Sequence, residues 1–492
     1  MDEREPTRRD VRECADGFDM SLVDSRIDIL LSQFRDEADL VSALPEPELT
    51  TGGDTRGWRR SDDETDPLGA FLTRCEVAGS ADGPLGDVCV GVKDNIAVAG
   101  VPLTCGSPML EEFVPRDDAT VVSRLLDVGA TIVGKTNMDE FAYGGSTSTM
   151  RFRLARNPHD PERMPGFTSS GSAVAVANGD VDVALGTDTG GSVRFPAAWC
   201  GVVGVKPTRG LVSHYGYVQF AKTIDNIGPI ARTVEDAARV LEVIAGADSR
   251  DERTRGAESD EYVAATNEGR DVSPSSLTIG VPEQAFAHDS EVVSRVQDAL
   301  DALEAAGADV RTVRLSDFEL ALPAWLTISV VELRAYIRSN GTNVWLLSQS
   351  DESQVRAMRR ISSRLDQLSD PLVRSLLLGE WTQRTHGGVP YALAQRAREA
   401  VTSGVDEALA DVDVLATPTV STSPPPWDDG IEDLSTVVTY MAPFNLTGHP
   451  AISVPCGEVD GLPVGLQFVA KRFDEPELFR AAAAWESLRT DS

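Results

Sequence analysis

Ser192 sits in "TDTGGSVRFPAAWCG", directly after "VDVALGTD", which reads as a strand. A serine that follows two glycines at a strand end is exposed, and the glycine backbone lets a substrate approach closely. Successive amide N–H groups in such a loop can point at one oxygen, the geometry of an oxyanion hole. The chemistry this allows is attack of a serine hydroxyl on a carbonyl. The plainer reading is a glycine-rich turn with a solvated serine. A nucleophilic serine needs a base, and the five histidines are all isolated in the sequence. Lys93 lies inside the apolar strand "VCVGVKDNIAVAG". Burial disfavours its charged form and would leave an amine able to accept a proton. The alternative is a lysine that reaches the surface from a strand end. A third stretch, "PGFTSSGS" at residues 165–172, places three consecutive hydroxyls before the small-residue run "AVAVANGD". It reads either as a polar helix start or as half of a catalytic centre.

These residues need a scaffold, and the sequence supplies an alternating one. From about residue 84, strands and helices follow one another. "DVCVGVKD", "TIVGK", "VDVALGTD", "SLTIGVP", "ADVRTVRL", "DVDVLATPT", "AISVPCG" and "GLPVGLQFVAKRF" read as strands. "DATVVSRLLDVGA" reads as a helix capped by Asp117 or Asp118, and "TVEDAARVLEVIAG" as one with Thr233 at its N-cap and Gly246 after it. "SAVAVANGD", "SEVVSRVQDALDALEAAG" and "EPELFRAAAAWESLR" are further helices. The alternation predicts a layered α/β/α domain with a mostly parallel or mixed sheet. Residues 318–410 are largely helical, an insertion suited to shaping a pocket. Residues 21–44 read as a helix with Ile27, Leu30, Leu31, Phe34, Ala38 and Val41 on one face. A Pro-, Gly- and Thr-rich linker follows to about Asp66. The expected division is a helical segment with its linker over 1–66 and the main domain over 67–492.

The whole chain narrows the function classes. Its 492 residues carry a formal charge of −33, with five lysines against forty arginines. The acidic excess disfavours nucleic-acid phosphates. A Lys-poor acidic surface suits a cytosol full of salt, where repulsion is screened, so a halophilic, cytoplasmic protein is expected. The start "MDEREPTRRD" has no apolar core, so no secretory signal is expected. No run of 18 apolar residues occurs to span a membrane. Six scattered cysteines without a Cys-x-x-Cys pair and five isolated histidines give a metal site little to build on. No metal or cofactor is expected. "GATIVGKT", Gly129 to Thr136, matches the phosphate-loop pattern, but its middle residues read as a buried strand after a helix, the wrong context for wrapping phosphates.

Taken together, the motifs resemble the amidase signature family over about residues 67–490. "GVKDNIAVAGVPLTCGS", "GKTNMDEFAYGGS", "PGFTSSGSAVAVANGD", "LGTDTGGSVRFPAAWCGVVGVKPTRGLVS", "IDNIGPIARTVEDAARVLEVIAG" and "APFNLTGHPAISVPCGEVDGLPVGLQFVA" match it in order and spacing. The resemblance implies the family's three-layer α/β/α fold with a mixed central sheet. It implies a Ser–Ser–Lys triad in which Lys93 is the base and Ser192 the nucleophile. The bridging serine of the motif G-G-S-S-G-G-S lies 24 residues before the nucleophile, which lands on Thr168. Phe167 and Ser170 stand where the motif has glycines, and Ser169 is the fallback relay. The oxyanion donors implied are the amides of Thr189, Gly190, Gly191 and Ser192. Asp188 and Arg194 are implied as loop support.

Within the family, the closing "APFNLTGHPAIS" and the N-terminal helix look more like stand-alone amidases, which hydrolyse an amide to acid and ammonia. The expectation is therefore such an amidase, acting on a small-molecule amide with no nucleic acid or membrane as a direct partner, alone or as a homodimer. The alternative is the A subunit of glutamyl-tRNA(Gln) amidotransferase, which makes ammonia from glutamine for a partner protein. The "GKTNMDEFAYGGS" segment resembles that group. The three changes at 167, 168 and 170 prompt a second alternative, a non-catalytic relative.

Overall fold

The computed structural model describes residues 5–18, 20–42, 56–80, 83–271, 274–287, 290–342, 352–429, 431 and 435–490. The chain divides into two compact units, Met1–Gly53 and Asp54–Ser492. The first carries α1 (Arg8–Asp16) and α2 (Asp24–Ser42). Thr7 caps α1 in a reciprocal box with Asp10, which satisfies two orphan donors at the helix start. Arg8 and Arg12 both pair with Asp24 across to α2. The helix expected over 21–44 thus begins at Asp24. Ile27 of its apolar face is buried. The side chains of Phe34, Ala38 and Val41 lie outside the described residues.

The second unit is built on one twelve-stranded sheet. Its strands are β1 (Trp58–Arg60), β2 (Phe71–Val77), β3 (Cys89–Lys93), β4 (Thr131–Thr136), β5 (Val183–Asp188), β6 (Val203–Lys206), β7 (Asn226–Ala231), β8 (Thr278–Pro282), β9 (Asp309–Val313), β10 (Val414–Pro418), β11 (Ala451–Val459) and β12 (Leu462–Val469). The order across the sheet is β1-β2-β4-β3-β5-β7-β6-β11-β12-β10-β8-β9. The sheet is mixed. β3 runs parallel to β4 and β5, and β8 parallel to β9 and β10. The other neighbours are antiparallel.

The helices of this unit are α3 (Thr120–Asp127), α4 (Ser170–Ala177), α5 (Arg194–Cys200), α6 (Val234–Ile244), α7 (Tyr262–Asp271), α8 (Glu291–Ala305), α9 (Ala321–Arg338), α10 (Glu352–Ser362), α11 (Asp370–His386), α12 (Val389–Ala408), α13 (Ser435–Val438), α14 (Ala442–Thr447) and α15 (Glu475–Thr490). Side chains alternate across β5. Val183 and Leu185 join the large core with α3, α6, α8 and α15, whereas Ala184 joins a second core with α4 and α5. Both faces are buried, so β5 opens on consecutive apolar residues, Val183 to Leu185, rather than on an alternating pattern. This is the three-layer α/β/α architecture expected, and α9 to α12 are the helices expected over residues 318–410.

Several local expectations are corrected. Residues 58–60, read as linker, form the edge strand β1, paired with Arg74 and its neighbours on β2. β6 and β7 carry Gly204, Gly228 and Pro229, residues that read as breakers in sequence; Pro229 sits opposite Leu185 in the middle of the sheet. Neither Asp117 nor Asp118 caps α3, whose N-cap is Ala119. Asp118 instead accepts from Arg56 at 2.6 and 2.9 Å and from the Ala99 amide. Thr233 does cap α6, accepting from the Asp236 amide. "GATIVGKT" is β4 and its approach; Lys135 is buried and pairs with Asp94 at 3.0 Å.

Candidate active site

The parallel pair β3–β5 sets the site. Val92 lies opposite Leu185, so Lys93 and the loop after Asp188 emerge at the same, carboxyl, end of adjacent strands. Such strand ends are where ligands bind in open α/β sheets. The N-terminus of α4 delivers Thr168 and Ser169 to the same point. Lys93 Nζ lies 2.8 Å from Thr168 Oγ1, 2.9 Å from Ser169 Oγ and 2.8 Å from Thr187 Oγ1. The lysine is wholly buried. Burial pulls its pKa from 10.5 to about 7, against the opposing charges of Asp139, Asp188 and Asp225.

The three hydroxyls are not equivalent. An ammonium donates to all three, but a neutral amine must accept from one. Ser169 Oγ donates to the Thr187 carbonyl at 3.2 Å and accepts from the Thr187 amide. Its one proton is therefore engaged with the scaffold. Thr168 has no hydrogen-bond partner besides Lys93 among the described residues, and it lines the cleft together with Ser192. The geometry thus favours Thr168 over Ser169 for passing a proton. Ser192 is partly exposed and its hydroxyl makes no hydrogen bond among the described residues. Thr168 and Ser192 are not hydrogen-bonded to each other, and of the two Thr168 is the stiffer side chain. Catalytic hydrogen bonds are often open before substrate arrives.

The loop bearing Ser192 is held from behind. Asp188 and Arg194 are both wholly buried and pair through two contacts of 2.9 and 3.0 Å. Burial works against the Asp188 carboxylate, but the Arg194 guanidinium and the Asn445 amide outweigh it and hold its pKa well below the usual range. Asp188 also accepts from the amides of Gly191 at 2.8 Å and Val193 at 3.2 Å. Arg194 reaches Asn445, Gln467 and the Met441 carbonyl. Asn445 donates to the Asp188 carbonyl at 2.9 Å. These contacts tie Asp188 and Arg194 to the backbone of the Ser192 loop and to the elements behind it.

One expected oxyanion donor is corrected. The Gly191 N–H is already donated to Asp188, so the expected donors without another acceptor among the described residues are the N–H groups of Thr189, Gly190 and Ser192. Gly191 adopts φ +120° with the Met441 side chain against it; a Cβ there would lie 2.4 Å from Met441 Sδ. Only glycine fits that turn. Sequence reasoning missed Thr187, Asp225, Asn445, Gln467 and Trp325. Asp225 accepts from Thr189 Oγ1 at 2.6 Å, and Trp325 Nε1 donates to the Thr189 carbonyl at 2.8 Å. Asp225 and Asn445 stood inside quoted motifs, but nothing in their local spacing pointed to a loop more than 30 residues away.

In front of Ser192 the cleft is apolar. Tyr143, Phe167, Phe220, Trp325, Leu326, Val330 and Val438 line it with no charged side chain among them. Phe167 packs edge-on against Phe195 with centroids 4.7 Å apart. Tyr143, Gly144 and Phe167 also wall an adjoining cavity that carries Asp370 and Arg374.

The chain is similar to known proteins over most of its length. The family described as Amidase matches residues 70–479. The A subunit of glutamyl-tRNA(Gln) amidotransferase from Halobacterium salinarum is 47% identical over 85% of this chain and 99% of its own length. The same protein of Haloarcula marismortui is 45% identical over 84% and 98%. Among solved structures, the A subunit of the Thermotoga maritima glutamyl-tRNA(Gln) amidotransferase is 37% identical with a TM-score of 0.69, covering 83% of this chain and 84% of that one. The peptide amidase of Stenotrophomonas maltophilia is 32% identical with a TM-score of 0.69, covering 84% of each. These relatives overturn the expectation of a stand-alone amidase working on a small molecule alone or as a homodimer. The highly identical, nearly full-length matches are named as one component of a transferase, and the closing segment and N-terminal helix did not separate the two groups. What the shared core establishes is the chemistry class, action on C–N bonds, and with it the family: the chain belongs to the amidase signature family.

Proposed function

We propose that the chain is the ammonia-producing A subunit of a glutamyl-tRNA(Gln) amidotransferase. The observation that carries this is its 47% identity to such a protein over 99% of that protein's length, joined to a lysine–hydroxyl–serine centre at Lys93, Thr168 and Ser192. Its partners are then the remaining subunits of that enzyme, and the amide donor is glutamine. The salt-loving organisms of the relatives support a salt-rich cytoplasm, as the acidic surface does.

The proposed sequence of steps begins with neutral Lys93 taking the proton of the Thr168 hydroxyl while Thr168 takes that of Ser192. Ser192 Oγ attacks the side-chain carboxamide carbon. The N–H groups of Thr189, Gly190 and Ser192 stabilise the oxyanion as it forms; losing one such donor costs about 10²–10³ in kcat. The proton returns through Thr168 to the leaving nitrogen, and ammonia departs. Water then hydrolyses the γ-glutamyl ester on Ser192. The wall of the cleft is neutral, so the charged head of glutamine has to lie beyond it. The adjoining cavity offers Arg374 and Asp370, opposite charges suited to a carboxylate and an ammonium.

The test is ammonia release from glutamine in molar salt, by the chain alone and mixed with the other subunits from the same cells. Release that rises with the partners, and co-purification with them, is expected. Labelling of Ser192 by a serine-directed phosphonate without any ammonia from glutamine would refute the reading.

A further inference from the structure

The helical stretch of residues 318–410 reaches into the chemistry at one point. Trp325, on α9, is buried, and its indole N–H donates to the Thr189 carbonyl at 2.8 Å. The same ring lies across Gly190. A Cβ on that residue would stand 2.5 Å from Trp325 Cζ2. The Thr189–Gly190 peptide therefore touches the indole along both its carbonyl and its α-carbon.

A trans peptide plane points its C=O and its N–H in opposite directions. A carbonyl tied to α9 sends the Gly190 N–H to the other side of the loop. The neighbouring groups are tied as well. Thr189 Oγ1 is held by Asp225 at 2.6 Å, and the Gly191 N–H by Asp188 at 2.8 Å. The one peptide between these two anchors is Thr189–Gly190, and glycine lets it turn freely. Trp325 is the group that stops it. α9 also holds the Asp225 anchor from its other end. Glu332, two turns along α9, accepts from the Thr223 amide at 2.9 Å and the Thr223 hydroxyl at 2.6 Å, two residues before Asp225. Tyr391 of α12 donates to Glu332 in turn.

We infer that Trp325 is a positioning residue for the oxyanion hole: its indole N–H fixes the Thr189–Gly190 peptide so that the Gly190 N–H faces the developing oxyanion. The inference rests on the acyl-transfer reading of Ser192 but not on the identity of the amide. Its effect belongs to the transition state, because the oxyanion charge appears there and not in the bound amide.

The test removes the N–H and keeps an aromatic side chain. In Trp325→Phe, kcat for ammonia release is expected to fall about 10–100-fold, short of the full loss of a donor, with KM within about threefold. An alkyl boronic acid forms a tetrahedral anionic adduct on a nucleophilic serine, and its Ki is expected to rise by the same factor as kcat falls. Benzothienylalanine at position 325 keeps the fused ring and lacks only the N–H, so it repeats the measurement without a packing defect. Unchanged kcat in that variant, or a KM that rises while the boronate Ki does not, overturns the inference. A wild-type chain that neither releases ammonia nor binds the boronate at Ser192 overturns the acyl-transfer reading instead.

Discussion

The two sides of Ser192 are built on opposite principles. Behind it, Asp188, Arg194, Asn445, Gln467 and Asp225 form a buried polar network in which nearly every donor meets an acceptor. In front of it, Phe167, Phe220, Trp325, Leu326, Val330 and Val438 offer apolar surface and no charge. Burying charge is tolerable only when it is paired and hydrogen-bonded, so the rear wall admits almost no substitution. Apart from Trp325, whose indole N–H holds the Thr189 carbonyl, the front wall needs only to be apolar and of suitable shape. The difference separates what makes the reaction possible from what chooses the amide.

That division can be broken from either side. The largest effect is expected at the reacting groups. Ser192→Ala and Lys93→Ala should each lower kcat by about 10⁴–10⁶, by analogy with serine hydrolases whose triad members act as a unit, and the double variant should be no worse than the worse single one. Activity losses adding up across the two would mean that they do not work as one. On the rear wall, Asp188→Ala leaves Arg194 buried without its counter-ion. Loss of about 3–5 kcal/mol of stability is expected, read as a fall in the denaturant midpoint in molar salt. An unchanged midpoint would show the network to be dispensable.

The pH profile reports on the base. Burial lowers the Lys93 pKa to about 7, and only the neutral amine accepts a proton. The kcat/KM value should therefore rise about tenfold per pH unit below 7 and level off above it. A profile that is flat from pH 5 to 8 would exclude Lys93 as the base. The smallest effect is expected on the front wall. Leu326→Ala removes part of the apolar lip and should raise KM by less than about tenfold with kcat nearly unchanged. A matching loss in kcat would place Leu326 in the chemistry and blur the two sides.

The same division governs what could be read in the sequence. The strands that carry Lys93 and Ser192 announced themselves as apolar runs ending in a lone lysine and a Gly-Gly-Ser turn. The layered fold followed from the alternation of elements. Strand β7 did not, because Gly228 and Pro229 read as breakers while its partners β5 and β6 hold it in the sheet. Trp325 and Val438 come to the site from segments more than 130 and 240 residues after Ser192. Their role depends on how α9 and α13 pack, which no local period encodes. The Gly191 amide was misread for a related reason: the family motif gives its position, and only the fold shows that Asp188 already occupies it. The choice between a stand-alone enzyme and one component of a larger one had no local physical signal at all, since both share the same reacting core.

Thr168 remains the residue on which the mechanism turns, because it carries a methyl where the family motif has a plain serine. The most direct measurement is the rate at which a serine-directed phosphonate labels Ser192 in Thr168→Ser and Thr168→Val, followed by mass spectrometry. The relay predicts a serine variant labelled at least as fast as the wild type and a valine variant slowed about 100-fold or more, the span of general-base assistance. Labelling of the valine variant at the wild-type rate would contradict it.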